Sequence, residues 1–156
     1  MRRKDREVTD WDEIVAIMRR CGVCRIALND GEFPYILPLN FGLAAADGRV
    51  ELYFHGARAG RKYELIRQDG RASFEMDCGH QLLTDAEHGS CSMAYESVIG
   101  QGRITLLPEE QAPAALRLIL RQYGQEGFAY NEATLPATAV FKLTVERMTA
   151  KRRPAK

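Results

Sequence analysis

The segment Leu52–Ile66 constrains the fold more strongly than any other part of the sequence. It begins with an aromatic, strand-like run and ends with Leu65 and Ile66 at helical spacing from Lys62. Between these two patterns lie small residues that favour a tight turn: Gly56, Ala57, Ala59 and Gly60. The segment therefore predicts a strand, a turn and the beginning of a helix.

The predicted turn has the features of an anion-binding site. Small residues let a ligand approach the backbone, and the free N–H groups and dipole of a helix N-terminus favour negative charge. Arg61 and Lys62 add two cations at the same place, so we interpret the segment as a site for a phosphate monoester. The alternative is a basic first helical turn on a solvated surface, where cations oppose the dipole at a cost of about a few tenths of a kcal/mol.

A family resemblance rests on this segment. Tyr53-Phe54-His55-Gly56-Ala57 followed by Gly60-Arg61-Lys62 resembles the cofactor-binding segment of the FMN-binding split β-barrel superfamily, which includes pyridoxamine 5′-phosphate oxidase. The sequence of these two motifs is most similar to the NimA-type, 5-nitroimidazole-reductase-like branch, which is associated with nitroimidazole resistance. Further matching segments follow in the same order along the chain: Arg2–Glu7, Pro34–Gly42, Phe74–Asp77, Tyr95–Gly102 and Lys151–Arg153.

The resemblance implies an FMN cofactor and a homodimer in which the partner chain completes each FMN site at the subunit interface. It implies these cofactor-binding residues: Pro38, Leu39, Asn40, Phe41, His55, Gly56, Ala57, Gly60, Arg61, Lys62, Tyr95, Ser97 and Arg152. The resemblance places the flavin ring against Pro38–Phe41. Pro38 itself removes a ladder donor and favours an edge or interrupted strand. The alternative role of Asn40 is a turn cap at the strand end.

His55 is the candidate acid or base of the segment, because the unperturbed pKa of histidine lies near neutrality. The alternative, which we favour, is a hydrogen bond from His55 to the FMN phosphate, to the ribityl chain or to a backbone carbonyl. The sequence contains no recognisable Ser-His-Asp set, no paired carboxylates at a useful spacing and no GxGxxG after a strand. The chemistry is therefore expected to come from the flavin.

Two function hypotheses follow from the resemblance. The first is an FMN-dependent oxidoreductase that takes a hydride from NADH or NADPH and reduces a small-molecule electron acceptor such as a nitroaromatic. The alternative is an FMN-binding protein that acts as a flavin carrier, sensor or electron-transfer module. Pyridoxamine-phosphate oxidase activity would need a second set of phosphate-binding residues, and the sequence has no convincing basic cluster for it. A deazaflavin or haem ligand is a further alternative, since both occur in the wider superfamily.

Periodicity predicts one α+β domain over residues 1–156, with an antiparallel sheet of five or six strands and three helices. The helices are predicted between Asp10 and Gly22, at 61–68, and between Pro108 and Gly124. The strands are predicted at 23–28, 33–41, 50–55, 71–77, 93–107 and 138–145, with 78–91 as a loop. Periodicity does not distinguish an open sheet from a closed barrel. The resemblance favours the FMN-binding split β-barrel with flanking helices.

The net charge and the lengths of the apolar runs indicate which partners to expect. A formal net charge of +1 disfavours nucleic acid, and the sequence has neither a membrane-spanning run nor a signal peptide, so a cytoplasmic location is expected. The basic residues 149–156 form either a disordered tail or, as we favour from the resemblance, a cationic arm over the cofactor.

The cysteines are expected to be reduced thiols. A zinc site would draw on these side chains: Cys21, Cys24, Cys78, His80, His88 and Cys91. Their spacing matches no compact zinc finger, and the Cys21–Cys24 motif follows a helix instead of opening one, which disfavours redox catalysis. We therefore expect no metal.

Overall fold

The computed structural model describes residues 3–155, apart from the side chains of Glu132 and Thr134. The strands are β1 (Glu7–Val8), β2 (Cys24–Leu28), β3 (Tyr35–Leu39), β4 (Gly42–Ala46), β5 (Arg49–Ala57), β6 (Arg71–Asp85), β7 (Ser90–Leu106) and β8 (Thr138–Arg153). The helices are α1 (Trp11–Arg20), α2 (Arg61–Gln68) and α3 (Ala112–Gln122), and short 3-10 turns cover Lys4–Arg6, Glu109–Gln111 and Glu132–Ala137. Arg2 and Lys156, which belong to the predicted basic ends, lie outside the described residues.

All the strands belong to one antiparallel sheet. Its order is β3-β2-β6-β7-β8-β5-β4, and β1 pairs with the end of β8. The two edge strands, β3 and β4, are consecutive in the chain and are joined only by Asn40 and Phe41. The sheet must therefore curl until its edges approach each other, since the three Cα–Cα steps from Leu39 to Gly42 span at most about 11 Å. This is the predicted α+β split barrel, with eight described strands instead of about six.

The predicted loop at 78–91 is wrong. The β6–β7 pairing continues from Gln81 opposite Ala94 to Asp85 opposite Ser90, beyond an irregularity in register between Cys78 and Gln81. Gly79 lies in this irregularity with a φ of 67°. The bulge breaks the strict alternation of side chains, so the sequence pattern reads as irregular although the hairpin is intact.

Residues 149–153 do not form the disordered tail that was one of the two expectations, because β8 continues through Arg153. The cationic arm over the cofactor stays a prediction. Glu7 pairs with Lys151 and Val8 with Ala150, while β7 pairs with the other side of the same residues. Ala150 is only 1% exposed. The end of the chain is therefore part of the sheet, and this depends on pairing with the first strand, which local periodicity cannot reveal.

The predicted strand at 33–41 divides into β3 and the connection to β4. Among the described residues β3 pairs only with β2, where Pro38 lies opposite Arg25. This confirms the edge position predicted from Pro38. The sequence analysis did not identify β4 as a separate strand.

The core fills the inside of the barrel and the space beneath α1. Phe54 and Phe141 stack with ring centroids 5.3 Å apart, and the Tyr63 ring meets Phe141 edge-on at 6.0 Å. The α1 helix begins as predicted, since the Asp10 side chain accepts a hydrogen bond from the Glu13 N–H at 2.9 Å. Within residues 3–155 no helix has the length and apolar character needed to cross a membrane.

Candidate functional site

The turn between β5 and α2 forms the helix start that the sequence predicts. Gly60 precedes α2 with a φ of 121°, a conformation that favours glycine, and it has no side chain with which to cap the helix. The Tyr63 N–H donates to the Gly60 carbonyl at 3.0 Å. By helix geometry the amides of Arg61 and Lys62 therefore lack an intrahelical acceptor. The positive end of the α2 dipole is thus available to an anion.

The Lys62 side chain folds back against β5. Its Nζ lies 4.7 Å from the centroid of the Tyr63 ring, and a Cβ added at Gly56 would lie 3.1 Å from the same atom. Glycine at position 56 therefore makes room for the ammonium group beside the strand. Within the described part of the chain Lys62 forms no salt bridge, so its charge is uncompensated by a carboxylate.

Tyr63 contributes a buried hydroxyl beside Lys62. Tyr63 is 2% exposed, and its Oη has no hydrogen-bond partner among the described residues. A Cβ at Gly56 would lie 3.2 Å from this Oη, and burial raises the pKa of the phenol. A buried hydroxyl without a partner costs about 1–3 kcal/mol. The hydroxyl is therefore a buried and unsatisfied donor beside Lys62.

Arg61 is not the free cation that the sequence analysis expected. Its guanidinium forms ion pairs with Asp30, in the turn between β2 and β3, and with Glu64 at 2.9 Å. Hydrogen bonding to Arg61 holds the pKa of Asp30 below its usual value. Local sequence patterns do not reveal this contact, because Asp30 and Arg61 meet only in the tertiary fold. Two carboxylates thus compensate the charge that we assigned to phosphate binding.

His55 lies on the face of β5 opposite to Lys62. Side chains alternate along a strand, and the regular pairing of His55 with Val140 and of Gly56 with Ala139 maintains this alternation. The His55 side chain is exposed, yet the surrounding protein removes part of its hydration, and this desolvation lowers its pKa. The lowered pKa favours the neutral imidazole, and the structure does not bring it to the same face as Lys62.

The segment Pro38–Phe41 divides between the surface and the core. Pro38 and Asn40 are exposed and Leu39 is half-buried, whereas Phe41 is fully buried. The Phe41 N–H donates to the Tyr123 Oη at 3.1 Å, and that hydroxyl donates to the Gly22 carbonyl at 2.9 Å. The side chain and amide of Phe41 thus serve the fold, which corrects the expectation that Phe41 contacts a ligand through these groups.

The remaining predicted contacts lie at the other end of β8. Tyr95 pairs with Arg153 and Ser97 with Lys151, whereas Gly56 pairs with Ala139. These positions are separated by about 40 Å of strand contour. The predicted site residues therefore form two groups in one chain: His55, Gly56, Ala57, Gly60, Arg61 and Lys62 near the start of β8, and Tyr95, Ser97 and Arg152 near its end.

Arg152 has carboxylate partners of its own. Its Nε donates to Glu96 at 2.6 Å, and its Nη1 donates to Glu13 at 3.2 Å. Arg20 binds the same Glu96 carboxylate through two hydrogen bonds of 2.8 Å. This network joins α1, β7 and β8, so Arg152 has a structural role that the resemblance did not indicate.

The Cys21 and Cys78 side chains interact, but the described cysteines and histidines do not form a set of metal ligands. Cys21 and Cys24 are buried, and this burial raises the pKa of both thiols. His80 pairs with Asp77 and His88 with Asp85, each at 2.9 Å. In residues 3–155 no group of three or more His, Cys, Asp or Glu side chains is arranged to hold a metal ion.

Comparison with known proteins gives one family and a set of structural neighbours. The profile of the family described as pyridoxamine 5′-phosphate oxidase matches residues 10–152. A candidate 5-nitroimidazole antibiotic resistance protein from Bacteroides thetaiotaomicron is 29% identical with a TM-score of 0.79, covering 93% of this chain and 85% of its own. Comparison with curated proteins gives no significant match.

Two further neighbours share the fold at lower identity. The flavocytochrome Anf3 from Azotobacter vinelandii has a TM-score of 0.79 at 19% identity, covering 99% of this chain and 72% of its own. The FAD and heme binding protein from Mycobacterium smegmatis has a TM-score of 0.80 at 16% identity, and the match covers 96% of this chain and 74% of that protein.

The Glu96 network predicts acid sensitivity. Partial burial raises the pKa of Glu96, but the hydrogen bonds from Arg20 and Arg152 outweigh it, so the pKa lies below its ordinary value. A lowered carboxyl pKa contributes stability above the unfolded-state pKa of about 4.3, and this contribution is lost as the pH falls through the folded-state pKa. Glu96→Gln should lower the free energy of unfolding by about 2 kcal/mol at pH 7 and by less below about pH 4.

Urea unfolding at several pH values measures this difference. Glu146→Gln is the matched control, because Glu146 is exposed and pairs with Arg103 at 3.1 Å, and an exposed pair contributes about 0–1 kcal/mol. Equal losses in the two variants, or a loss for Glu96→Gln that does not depend on pH, would contradict the assigned role.

Proposed function

The chain belongs to the pyridoxamine 5′-phosphate oxidase family, and from this premise we propose that it binds FMN with the phosphate at the start of α2. The observation that carries the proposal is the position of Lys62, whose ammonium group lies beside Gly56 without a carboxylate partner in residues 3–155. The neighbouring proteins described as a flavocytochrome and as an FAD and heme binding protein support a flavin ligand for this fold.

The residues present fit a phosphate group. Lys62 supplies a cation, the amides of Arg61 and Lys62 lack intrahelical acceptors, and Gly56 and Gly60 leave the backbone accessible. A phosphate monoester carries about −1.5 to −2 charges at pH 7. Arg61 contributes less than the sequence suggests, since a phosphate would have to compete with Asp30 and Glu64 for its guanidinium.

The edge strand β3 leads from the phosphate end to the proposed ring end. Asp30, which binds Arg61, lies just before β3, and the strand runs from Tyr35 to Leu39 with Asn40 exposed after it. The unpaired edge offers backbone groups, interrupted at Pro38, that would orient a planar heterocycle. When bound, FMN supplies the redox chemistry, and the chain supplies binding, orientation and access.

A second copy of the chain would complete the site. Tyr95 and Ser97 lie at the far end of β8 from Lys62, so we propose a homodimer in which they reach the partner's flavin. Ile36 and Ile99 support a contact face, because they are 60% and 54% exposed on the outer face of the sheet. Arg152 joins this group only if a flavin competes with Glu96 and Glu13.

The proposed activity is electron transfer from NADH or NADPH through the bound flavin to a small-molecule acceptor such as a nitroaromatic. The candidate nitroimidazole resistance protein, at 29% identity over 93% of this chain, supports this acceptor class. The alternative is an FMN carrier or electron-transfer protein, which the separation of His55 from Lys62 favours. The test is anaerobic reduction of the FMN-loaded protein, followed by its flavin absorbance. Bleaching by NADH or NADPH that a nitroimidazole reverses would support the enzyme hypothesis, and no bleaching would support the carrier hypothesis.

The phosphate proposal predicts that FMN binds far more tightly than riboflavin. A charge-assisted hydrogen bond contributes about 1.5–3 kcal/mol, so Lys62→Gln should weaken FMN binding by about one to two orders of magnitude and riboflavin binding much less. Arg61→Gln should have a smaller effect, because its charge is already compensated. Flavin-fluorescence titration measures both ligands, with Lys4→Gln as the matched control. Equal losses for FMN and riboflavin in Lys62→Gln would place the phosphate elsewhere.

The homodimer proposal predicts a dimer by sedimentation at micromolar concentration. Ile99→Arg should give a folded monomer, because it buries a charge in the proposed interface. Phe128→Arg is the matched control, since Phe128 is 56% exposed outside the sheet. A wild-type monomer that binds FMN, or an Ile99→Arg variant that remains a dimer, would refute the proposed interface. Deletion of residues after Thr149 is unsuitable here, because it removes part of β8.

A further inference from the structure

Asp30 binds the guanidinium of Arg61 through both of its carboxylate oxygens. The Arg61 Nε donates to Oδ2 at 3.2 Å, and its Nη2 donates to Oδ1. Glu64 accepts one hydrogen bond, from the Arg61 Nη1 at 2.9 Å. The Asp30 side chain is 27% exposed, whereas that of Glu64 is 62% exposed. A two-point contact between arginine and a carboxylate is stronger and more specific than a single contact, so Asp30 is the principal partner of Arg61.

The turn that carries Asp30 is also fixed at the other end of α2. The Asn29 Nδ2 donates to Asp69 at 2.6 Å, and Asp69 directly follows the last residue of α2. Asp69 is held in turn by Arg71, whose backbone N–H and Nε donate to it at 3.1 and 2.9 Å. Two consecutive residues of the β2–β3 turn therefore contact opposite ends of one helix. This anchoring positions the Asp30 carboxylate and reduces the side-chain entropy that an ordinary surface ion pair loses.

The position of Arg61 gives this ion pair a consequence for the proposed phosphate site. Arg61 is the first residue of α2, beside the amides assigned to the phosphate. A cation there opposes the helix dipole, and the Asp30 and Glu64 carboxylates offset that unfavourable interaction. One guanidinium and two carboxylates have a net charge of −1 when ionised. The three side chains together therefore attract a phosphate less than Arg61 alone would.

We propose that Asp30 is a positioning residue that keeps the Arg61 guanidinium out of the phosphate site and thereby lowers the affinity of that site for FMN. The inference rests on the proposed phosphate site at the start of α2 and identifies what limits its strength. Lys62 and the first amides of α2 hold the phosphate without the guanidinium. Affinity differences between related complexes lie mostly in the dissociation rate, so this arrangement favours a flavin that exchanges with solution.

Flavin-fluorescence titration of Asp30→Asn tests the proposal. The substitution keeps the size of the side chain and removes its charge, so Arg61 can turn towards the phosphate. FMN binding should become about three- to tenfold tighter with slower dissociation, while riboflavin binding stays within about twofold of wild type. Glu64→Gln should give a smaller gain, since Asp30 still holds Arg61. Glu146→Gln is the matched control, because it removes one exposed carboxylate from an ion pair with Arg103.

The Arg61→Gln background separates release of the guanidinium from a simple loss of repulsion. Removing a carboxylate near a phosphate would strengthen binding through the Coulomb interaction alone. If Asp30 acts through Arg61, then Asp30→Asn should change FMN affinity by less than about twofold in this background. An equal gain with and without Arg61 would overturn the proposal, and so would Asp30→Asn with unchanged or weaker FMN binding. A variant that merely disturbed the fold would not gain affinity.

The NMR signal of the Arg61 Nε–H reports the position of the guanidinium. In wild type, FMN and riboflavin should shift this signal equally, because Asp30 retains Arg61. In Asp30→Asn, FMN should shift it more than riboflavin does, and a larger FMN shift already in wild type would contradict the proposal.

The Lys62→Gln titration distinguishes failure of this inference from failure of the phosphate site. A loss of affinity for FMN but not for riboflavin in Lys62→Gln, together with no gain in Asp30→Asn, would refute the role of Asp30 alone. Equal losses for the two flavins in Lys62→Gln would refute the phosphate site and the role of Asp30 with it.

Discussion

Antiparallel pairing along β8 sets the separation between the two groups of predicted site residues that lie near its ends. The first half of β8 pairs with β5 and the end of β7, and its second half pairs with β1 and the middle of β7. Gly56 is thereby held near the start of β8, while Ser97 is held near its end. Their β8 partners, Ala139 and Lys151, are separated by about 40 Å of strand contour. This separation supports the proposal that the site is shared between two copies.

At the proposed phosphate site, neighbouring side chains distinguish two adjacent cations. Arg61 is neutralised by Asp30 and Glu64, whereas Lys62 lies in space that the absence of a Cβ at Gly56 provides. The ammonium group that remains uncompensated is the one a dianion would stabilise most.

The sequence predicted features that depend on local chemistry. The bounds of α2, the Asp10 cap of α1 and the edge position of Pro38 follow from turn residues, capping and the missing proline donor. The predictions from the sequence were wrong or incomplete where segments that are distant along the chain meet. Two contacts depend on the tertiary fold: the ion pair between Arg61 and Asp30 and the pairing of β1 with β8. The bulge near Gly79 interrupts the alternating pattern, so a continuous hairpin was predicted as a loop.

The central claim is that Lys62 and the first amides of α2 hold a flavin phosphate. A crystal structure of the protein with FMN tests it most directly. We expect a phosphate oxygen about 2.7–2.9 Å from the Lys62 Nζ, the usual length of a charge-assisted hydrogen bond, with Arg61 still bound to Asp30. A phosphate that lies away from Lys62, for example at Arg152, would contradict the proposed site.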